Sequence, residues 1–264
     1  MEDQVLVRSV ARAIDILLAL QHGTVSLGRI AQRTGLSKPT AHRLLASLAY
    51  GQLVIQDPVT SEYMLGPGCL GIADAVMSGL GGLGPMAKPT LEELAEGSGE
   101  SAALHVRAGL QRICVEQVPS PQPVRYTARV GASNPLHTGA MGKILLAFSD
   151  PSDLPDVLDR LTLTASTEAT ITDRRTLEEE LRNVRGRGYA VSRGEQAIGV
   201  AAVSAPVLRH DGVVLAAISI LGPTDRVTDS KIDEALPALI AAAKDLTERL
   251  GAGASVTATV GGGG

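Results

Sequence analysis

Between Ser26 and Tyr50 the apolar positions fall at helical spacing in two short bursts separated by a turn signal. Leu27, Ile30 and Ala31 share one helix face. Gly35 follows where a left-handed C-cap residue belongs, and Leu36 is a hydrophobe in the turn. Ser37 predicts the N-cap of a second helix, with Pro39 tolerated in its first turn. Ala41, Leu44, Leu45 and Leu48 give that helix its apolar face. Lys38, Thr40, Arg43 and Ser47 lie off the face and His42 at its margin. Upstream, Ser9 predicts the cap of a first helix with Val10, Ile14 and Leu17 in one stripe, and Ala13 and Leu18 beside it. Downstream, the β-prone runs Leu53–Gln56 and Tyr63–Leu65 flank the polar stretch Asp57–Glu62 and predict a hairpin with Thr60 and Ser61 at its tip. Three helices followed by a hairpin is the order of a winged helix-turn-helix. In that fold the third helix enters a DNA major groove with its N-terminal residues leading.

The rest of the chain changes character. Gly68–Ser78 has helical spacing, and the glycines of Gly79–Gly84 break it. Those residues match G-x-G-x-x-G, but a dinucleotide fingerprint should follow a strand and open a helix, and here it follows a helical pattern. A hinge between domains is the better reading. Leu83–Glu96 predicts a helix ending at Gly97, and Ser101–Val106, Gln111–Val118 and Val124–Ala128 predict strands. Thr138–Phe148 predicts a helix with a small-residue start that lets a ligand or strand approach; its Gly142–Lys143 pair fails the phosphate-loop pattern, because His137 and Ile144 stand where that pattern needs Gly and Ser or Thr. Asp150–Leu161 and Asp173–Arg185 predict helices, the second with Leu177, Leu181 and Val184 on one face. Tyr189–Ser192 predicts a short strand; Gly199–Val207 and Val213–Leu221 predict long ones, joined by a two-residue turn at Asp211–Gly212. Thr228–Leu250 predicts a closing helix, kinked at Pro237, with Ile232, Leu239, Ile240, Ala243 and Leu246 inward. The low-complexity tail 251–264 predicts disorder. The whole predicts an α+β fold: a winged helix-turn-helix, a linker helix, and a mainly antiparallel sheet covered by helices.

Charge sharpens the first part. The chain carries formal charge -4, yet no Asp or Glu occurs from Ile16 to Gln56, while Arg29, Arg33, Lys38 and Arg43 are basic. A phosphate backbone needs only such a local basic face; an ordinary helical hairpin with a solvated basic side is the alternative. Ser37, Lys38, Pro39, Thr40, His42 and Arg43 are the candidate DNA-binding residues, with double-stranded DNA as partner. Two-fold pairing would double the short site that one helix reads, which predicts a homodimer on a palindromic operator. The apolar residues of Leu70–Met77 are the candidate contact.

Little else in the composition points to chemistry. With one Phe, four Tyr and no Trp, the cores must be built from Ala, Val, Leu and Ile. No apolar run reaches the roughly 18 residues of a membrane span. The first ten residues are no signal peptide, and the chain reads as cytoplasmic with no membrane partner. Cys69 and Cys114 lack the spacing of a zinc or redox site and read as reduced thiols. None of His22, His42, His105, His137 and His210 has a partner at metal-ligand spacing, and no nucleophile motif occurs. No metal, cofactor or catalytic residue is expected, and His137, the one tempting histidine, reads as structural or as a pocket rim. An enzyme with an incidental helix-turn-helix and an architectural DNA-binding protein remain as other readings; a second domain rich in strands favours a sensor.

The long hairpin gives a pocket argument. If Asp211–Gly212 is a two-residue loop, His210 pairs with Val213, Ser204 with Ser219 and Ala202 with Leu221. Val200, Ala202, Ser204, Ser219 and Leu221 then share one face, small and mildly polar. Such a face suits a ligand-cavity floor or a close helix-on-sheet core, and the residues alone leave both open.

Three separated motif blocks resemble the IclR family of transcriptional regulators. They are SVARAIDILLAL with LGRIAQRTGLSKPTAHRLLASL and EYMLGPG; then PLHTGAMGKILLA; then RGYAVSRGE with GVAAVSAPV and LAAISILGP. The resemblance implies a winged helix-turn-helix over residues 1–66, a linker helix and hinge over 67–84, and a GAF-like effector-binding domain over 85–250. It implies a small-molecule effector, a catabolic acid or an aromatic compound, and a homodimer or dimer of dimers. Repression is the commoner mode in such proteins, and activators share the architecture. Residue by residue it implicates Gly139, Ala140, Ser192, Val200, Ala202, Ser219 and Leu221 in effector binding. Members that take small carboxylates often have an acid at the Ser192 position and Ser at the Leu221 position. Both differ here, so effector identity does not carry over.

Overall fold

The computed structural model describes residues 6–251 apart from His22, Leu80 and Gly81, with backbone alone for residues 74, 76–79 and 251. The tail at 252–264, part of the expected hinge, and the side chains of Val76 and Met77 lie outside the described residues. The chain divides into two compact units, residues 1–80 and 81–264.

In the first unit α1 (Arg8–Ala19), α2 (Leu27–Thr34) and α3 (Lys38–Tyr50) precede a hairpin of β1 (Val54–Gln56) and β2 (Tyr63–Leu65), and α4 (Gly68–Gly79) follows. Ile16, Leu20, Val25, Ile30, Leu45, Leu48, Val54 and Tyr63 form the core. Gly35 is left-handed at φ 65° and ends α2 as expected. Val25 pairs with Tyr63 through N–H···O bonds of 2.8 and 2.9 Å, which ties the start of α2 to the wing. Two expectations for α1 fail. Its N-cap is Val7, not Ser9. Its inward stripe is Ile16 and Leu20 with Ala13 and Leu17, whereas Val10, Ile14 and Leu18 are exposed. Val10, Ile14 and Leu18 make a second apolar stripe beside this one, so periodicity offered two, and the positions of Ile30 and Leu45 selected one.

The second unit is a six-stranded sheet, ordered β5-β4-β3-β8-β7-β6, with every neighbouring pair antiparallel. The strands are β3 (Ser101–Ala108), β4 (Gln111–Val118), β5 (Ser133–Pro135), β6 (Ala190–Arg193), β7 (Val200–Leu208) and β8 (Val214–Pro223). α6 (Gly139–Ala147) packs on one face over β7 and β8, backed by α8 (Arg174–Arg187), with α7 (Leu154–Arg160) in the same core. α5 (Leu83–Ser98) and α9 (Asp229–Gly251) pack against the sheet and each other.

Several boundaries move for local reasons. α5 runs through Gly97 and stops at left-handed Gly99. Residues 124–128 form no strand. Their carbonyls serve side chains instead: Ser101 Oγ donates to Tyr126 O at 2.7 Å, and Arg226 Nη2 to Val124 O at 2.8 Å. The partner of β4 is Ser133–Pro135. Asp150 accepts from Ser152 N at 2.9 Å, a local turn that delays α7 to Leu154. α8 ends at Arg187 with Gly188 as its cap, so Gly186 stays helical. Ile240 is exposed rather than inward.

The β7–β8 turn is also different from expectation. Arg209 N donates to Val213 O at 2.8 Å, leaving a three-residue loop with Gly212 left-handed. That loop alone would shift every pair by one. The register breaks again between Val207 and Leu208, leaving Leu215 unpaired as a bulge, and Ser204 returns opposite Ser219 and Ala202 opposite Leu221. The expected pairs are therefore present, although the turn that predicted them is not.

Candidate functional site

The candidate DNA-reading face is built locally. Ser37 is extended at φ -66°, ψ 146°, and its Oγ accepts from Thr40 N at 3.4 Å. The two hydroxyls lie 2.9 Å apart. Ala41, Leu45 and Leu48 turn inward. That leaves Ser37, Lys38, Pro39, His42 and Arg43 exposed and Thr40 half-buried at the leading end of the helix. Among the described residues every ion pair lies in the second unit. Among the described residues Lys38, Arg43 and Arg29 thus have no carboxylate partner. Arg33 is used internally: its Nη1 donates to Ala19 O at 3.0 Å, at the C-terminus of α1. The wing tip is Val59–Ser61, with Val59 exposed. Asp57 Oδ1 accepts from Val59 N and Thr60 N, both at 2.8 Å, which holds its carboxyl below the usual range.

The second site is assembled from distant parts of the chain. On the face of the sheet toward α6, register places Ala103 and His105 on β3, Cys114 on β4, Ala217 and Ser219 on β8, Ala202 and Ser204 on β7, and Ser192 on β6. Arg112, two residues before Cys114, extends the same face. α6 begins over it. Gly139 has φ 76°, a left-handed backbone that side chains rarely adopt. A Cβ there would lie 3.6 Å from Arg112 Nη2, 3.6 Å from Gln196 Oε1 and 3.8 Å from Ser192 Oγ. Three polar side chains from β4, β6 and the loop after β6 therefore converge on one backbone.

Lys143 anchors this arrangement. Its buried Nζ donates to Val191 O and Glu195 Oε1, both at 2.7 Å, and to Glu180 Oε1 at 3.3 Å. Glu195 Oε2 accepts from Gly139 N at 3.2 Å. Thr167 Oγ1 donates to Gly194 O at 2.7 Å, and Thr170 Oγ1 to Glu195 O at 2.6 Å. Gln196 Nε2 donates to Asn134 Oδ1 at 2.7 Å. Loop 194–199 is thereby tied to α6, to the turn at Thr167–Thr170 and to β5. Gly142 serves packing: a Cβ there would sit 2.0 Å from Leu136 O.

Against this frame the expected effector residues separate. Gly139 and Ser192 stand at the polar convergence, with buried Ala140 next in α6. Ala202 and Leu221 are buried with Ala140 and Ile144 in one core. Ser219 Oγ lies 2.7 Å from Ser204 Oγ and is occupied by it. Val200 is half-buried at the strand end, opposite Pro223. His137 is buried, with Nε2 2.9 Å from Thr164 O and no partner on Nδ1.

Sequence reasoning passed over His105 and Arg112. Both are fully buried. Neither nitrogen of His105 has a partner, nor have Nε and Nη2 of Arg112. Burial, and then the charge of Arg112, hold His105 well below its ordinary pKa, so its ring is neutral. Burial draws the Arg112 guanidinium down to about 10, still charged at neutral pH. Cys114 beside them is pushed up to about 12, mainly by burial, and is an inert thiol. The signal was available: a two-residue loop at Gly109–Leu110 sets Ala108 opposite Gln111 and so His105 opposite Cys114.

A cavity of about 570 Å³ elsewhere, between α5, α9 and the other face of the sheet, is lined by Leu94, Val203, Ile220 and Ile232. Its buried acid, Glu100, is already gripped by Arg226 through Nε and Nη2. It offers space, whereas the α6 face offers unpartnered polar groups. Among the described residues no cluster of His, Cys, Asp and Glu could hold a metal, and no helix is long and apolar enough to cross a membrane.

Comparison with known proteins bears on both units. Residues 9–58 match the family model for the IclR helix-turn-helix domain, and residues 82–248 that for the bacterial transcriptional regulator IclR C-terminal domain. The chain is 34% identical to the HTH-type transcriptional regulator BhcR of Paracoccus denitrificans, over 93% of this chain and 88% of that protein. It is 31% identical to the transcriptional repressor IclR of Escherichia coli, over 91% and 89% respectively. The crystal structure of an IclR transcriptional regulator from Alicyclobacillus acidocaldarius aligns with a TM-score of 0.74 at 30% identity, covering 92% of this chain and 98% of that one.

Proposed function

The chain belongs to the IclR family of transcriptional regulators, and from that premise we propose that α3 reads a palindromic operator while the α6 face of the sheet takes the effector that controls it. The protein is a ligand-responsive DNA-binding regulator. The observation that carries the division of labour is where each unit leaves cations without acids. On α3 they are exposed at the leading end of a winged helix, and on the sheet one is buried beside Gly139. Lys38 and Arg43 contact phosphate or base, and Thr40 and His42 read base edges, with Ser37 and Pro39 setting the helix start. The mode is repression, supported by relatives named repressors. The working form is a homodimer or a dimer of dimers, acting in the cytoplasm and without catalysis.

Selection of bound fragments from genomic DNA by the full chain, followed by footprinting, tests the reading. A protected palindrome with half-sites about one helical turn apart is expected. Binding without sequence preference, with an unchanged footprint for Arg43→Ala, would sink it. For a regulator the effector must bind the DNA-competent and DNA-incompetent arrangements unequally. Coupling of about 1–3 kcal/mol would change operator affinity on the order of 5–150-fold.

A further inference from the structure

We propose that the cavity between α5, α9 and the sheet face opposite α6 binds a small molecule with an apolar body and one protonated amine. This site is separate from the α6 face and does not rest on the function proposed for that face.

The cavity follows from where α5 and α9 touch. Arg249, at the end of α9, donates from Nη2 to Met86 O at 2.9 Å and from Nη1 to Thr90 Oγ1 at 3.3 Å, both in the first half of α5. The two helices are thus antiparallel and joined at that end. At the other end the last turns of α5 and the first turns of α9 stand apart, with about 570 Å³ between them. Small residues keep the gap open: Gly97 on α5 and Ala235 and Ala238 on α9 all line it. Ligand pockets occupy about 300–1,000 Å³, so the space is of the right size for a small molecule.

The floor is hydrocarbon. Val203 and Ile220 pair across β7 and β8, one residue along from Ala202 and Leu221, and so face away from α6. Leu94 and Ile232, both buried, extend the same apolar lining.

The rim sets the sign of the charge. Its two cations are Arg226 and Lys231, and both are spent. Arg226 grips both oxygens of Glu100 and donates to Val124 O as well. Lys231 Nζ bonds Glu234 Oε2 at 2.7 Å. Two further acids, Glu93 and Asp225, line the cavity and have no ion pair among the described residues. α5 also ends here, at left-handed Gly99, and a helix C-terminus is the negative end of its dipole. The surplus is therefore negative over an apolar floor, the complement of an ammonium on a hydrocarbon body. A carboxylate or phosphate would be repelled by the same rim. Glu93 and Asp225 are exposed, so they select the charge, while burial against the floor supplies most of the affinity.

Calorimetry and methyl NMR on the full chain test this with phenylbutylamine beside phenylbutanol, which has the same apolar body and no charge. The amine should bind saturably and shift the methyl signals of Val203, Ile220 and Ile232 more than those of Leu221. The alcohol should bind at least about fivefold more weakly. Ala235→Phe fills the space from a half-buried position and should abolish amine binding. The double variant Glu93→Gln with Asp225→Asn leaves the floor intact. It should weaken the amine at least about threefold and leave the alcohol unchanged. Should Ala235→Phe fail to fold, the double variant decides. No saturable binding of the amine, amine and alcohol binding alike, the largest shifts at Leu221, or either variant binding the amine as wild type would each overturn the proposal. An amine without effect, together with an altered oligomeric state for Ala235→Phe, would assign the face to a second copy of the chain and overturn it equally.

Discussion

The leading end of α3 and the α6 face of the sheet both hold positive charge without a partner acid, and the two cases mean different things. Lys38 and Arg43 are exposed and solvated, so leaving them unpaired costs the fold little. Arg112 is buried, and its two free donors cannot be satisfied by bulk water. An exposed unpaired cation becomes informative only with geometry around it, here a capped helix beside a wing. A buried one is informative alone, because folds seldom retain it without use. Lys143 is the control within the same face: equally buried, but fully bonded.

That contrast is most easily broken at Lys143. Lys143→Met would leave Glu195 buried with only Gly139 N opposite one oxygen. Removing one member of a buried pair costs about 3–5 kcal/mol. Urea unfolding of the second unit should register a loss of that size, whereas Arg112→Met should register none. Equal losses for the two variants would erase the distinction between a bonded and an unbonded buried cation.

Next in size is the sheet beneath α6. Ala202 is packed against α6, so Ala202→Phe overfills a closed core and should cost about 1–3 kcal/mol. The loss is read as a lower urea midpoint in the second unit. A variant of wild-type stability would mean that the space above Ala202 is open and that the sheet floor is wider than the packing indicates.

On α3 the effect moves from stability to binding. Arg43→Ala should leave the urea midpoint unchanged and weaken operator binding by about 1–3 kcal/mol if Arg43 reads a base. If Arg43 touches phosphate, binding weakens uniformly across sequences and the slope of log K against log salt falls by about one. Titrations at several salt concentrations distinguish the two. Unchanged affinity and slope would remove Arg43 from the interface.

The same contrast explains what could be read from the chain beforehand. The α3 surface follows from local signals: Gly35, Ser37, Pro39 and a helical period fix which side chains point outward. The strand pairs Ser204–Ser219 and Ala202–Leu221 were legible too, although the two-residue turn behind them was wrong, because a three-residue loop and a bulge at Leu215 cancel. α1 was misread because it has two apolar stripes and only its neighbours choose between them. His105 and Arg112 were missed because they looked like ordinary residues of an apolar strand pair. The hairpin register puts both on one face, but whether that face is buried depends on α6, which arrives some thirty residues later.

The smallest effect is expected at Ser37, and it tests whether the α3 end is only scaffolding. Its Oγ accepts from Thr40 N at 3.4 Å, long for a cap, and also meets the Thr40 hydroxyl at 2.9 Å. Replacing a Ser cap by Ala costs about 0.5–2 kcal/mol, and a long, solvated bond belongs at the low end. Ser37→Ala should therefore lower the stability of the first unit by roughly 0.5 kcal/mol. Operator affinity should fall by less than about threefold, since the helix stays formed and no charge is removed. A stability loss near 2 kcal/mol would mean that the cap is stronger in solution than its geometry implies. A tenfold loss of affinity at nearly unchanged stability would mean that the hydroxyl itself meets the DNA. Ser37 would then join Lys38 and Arg43 as a reading residue instead of the residue that positions them.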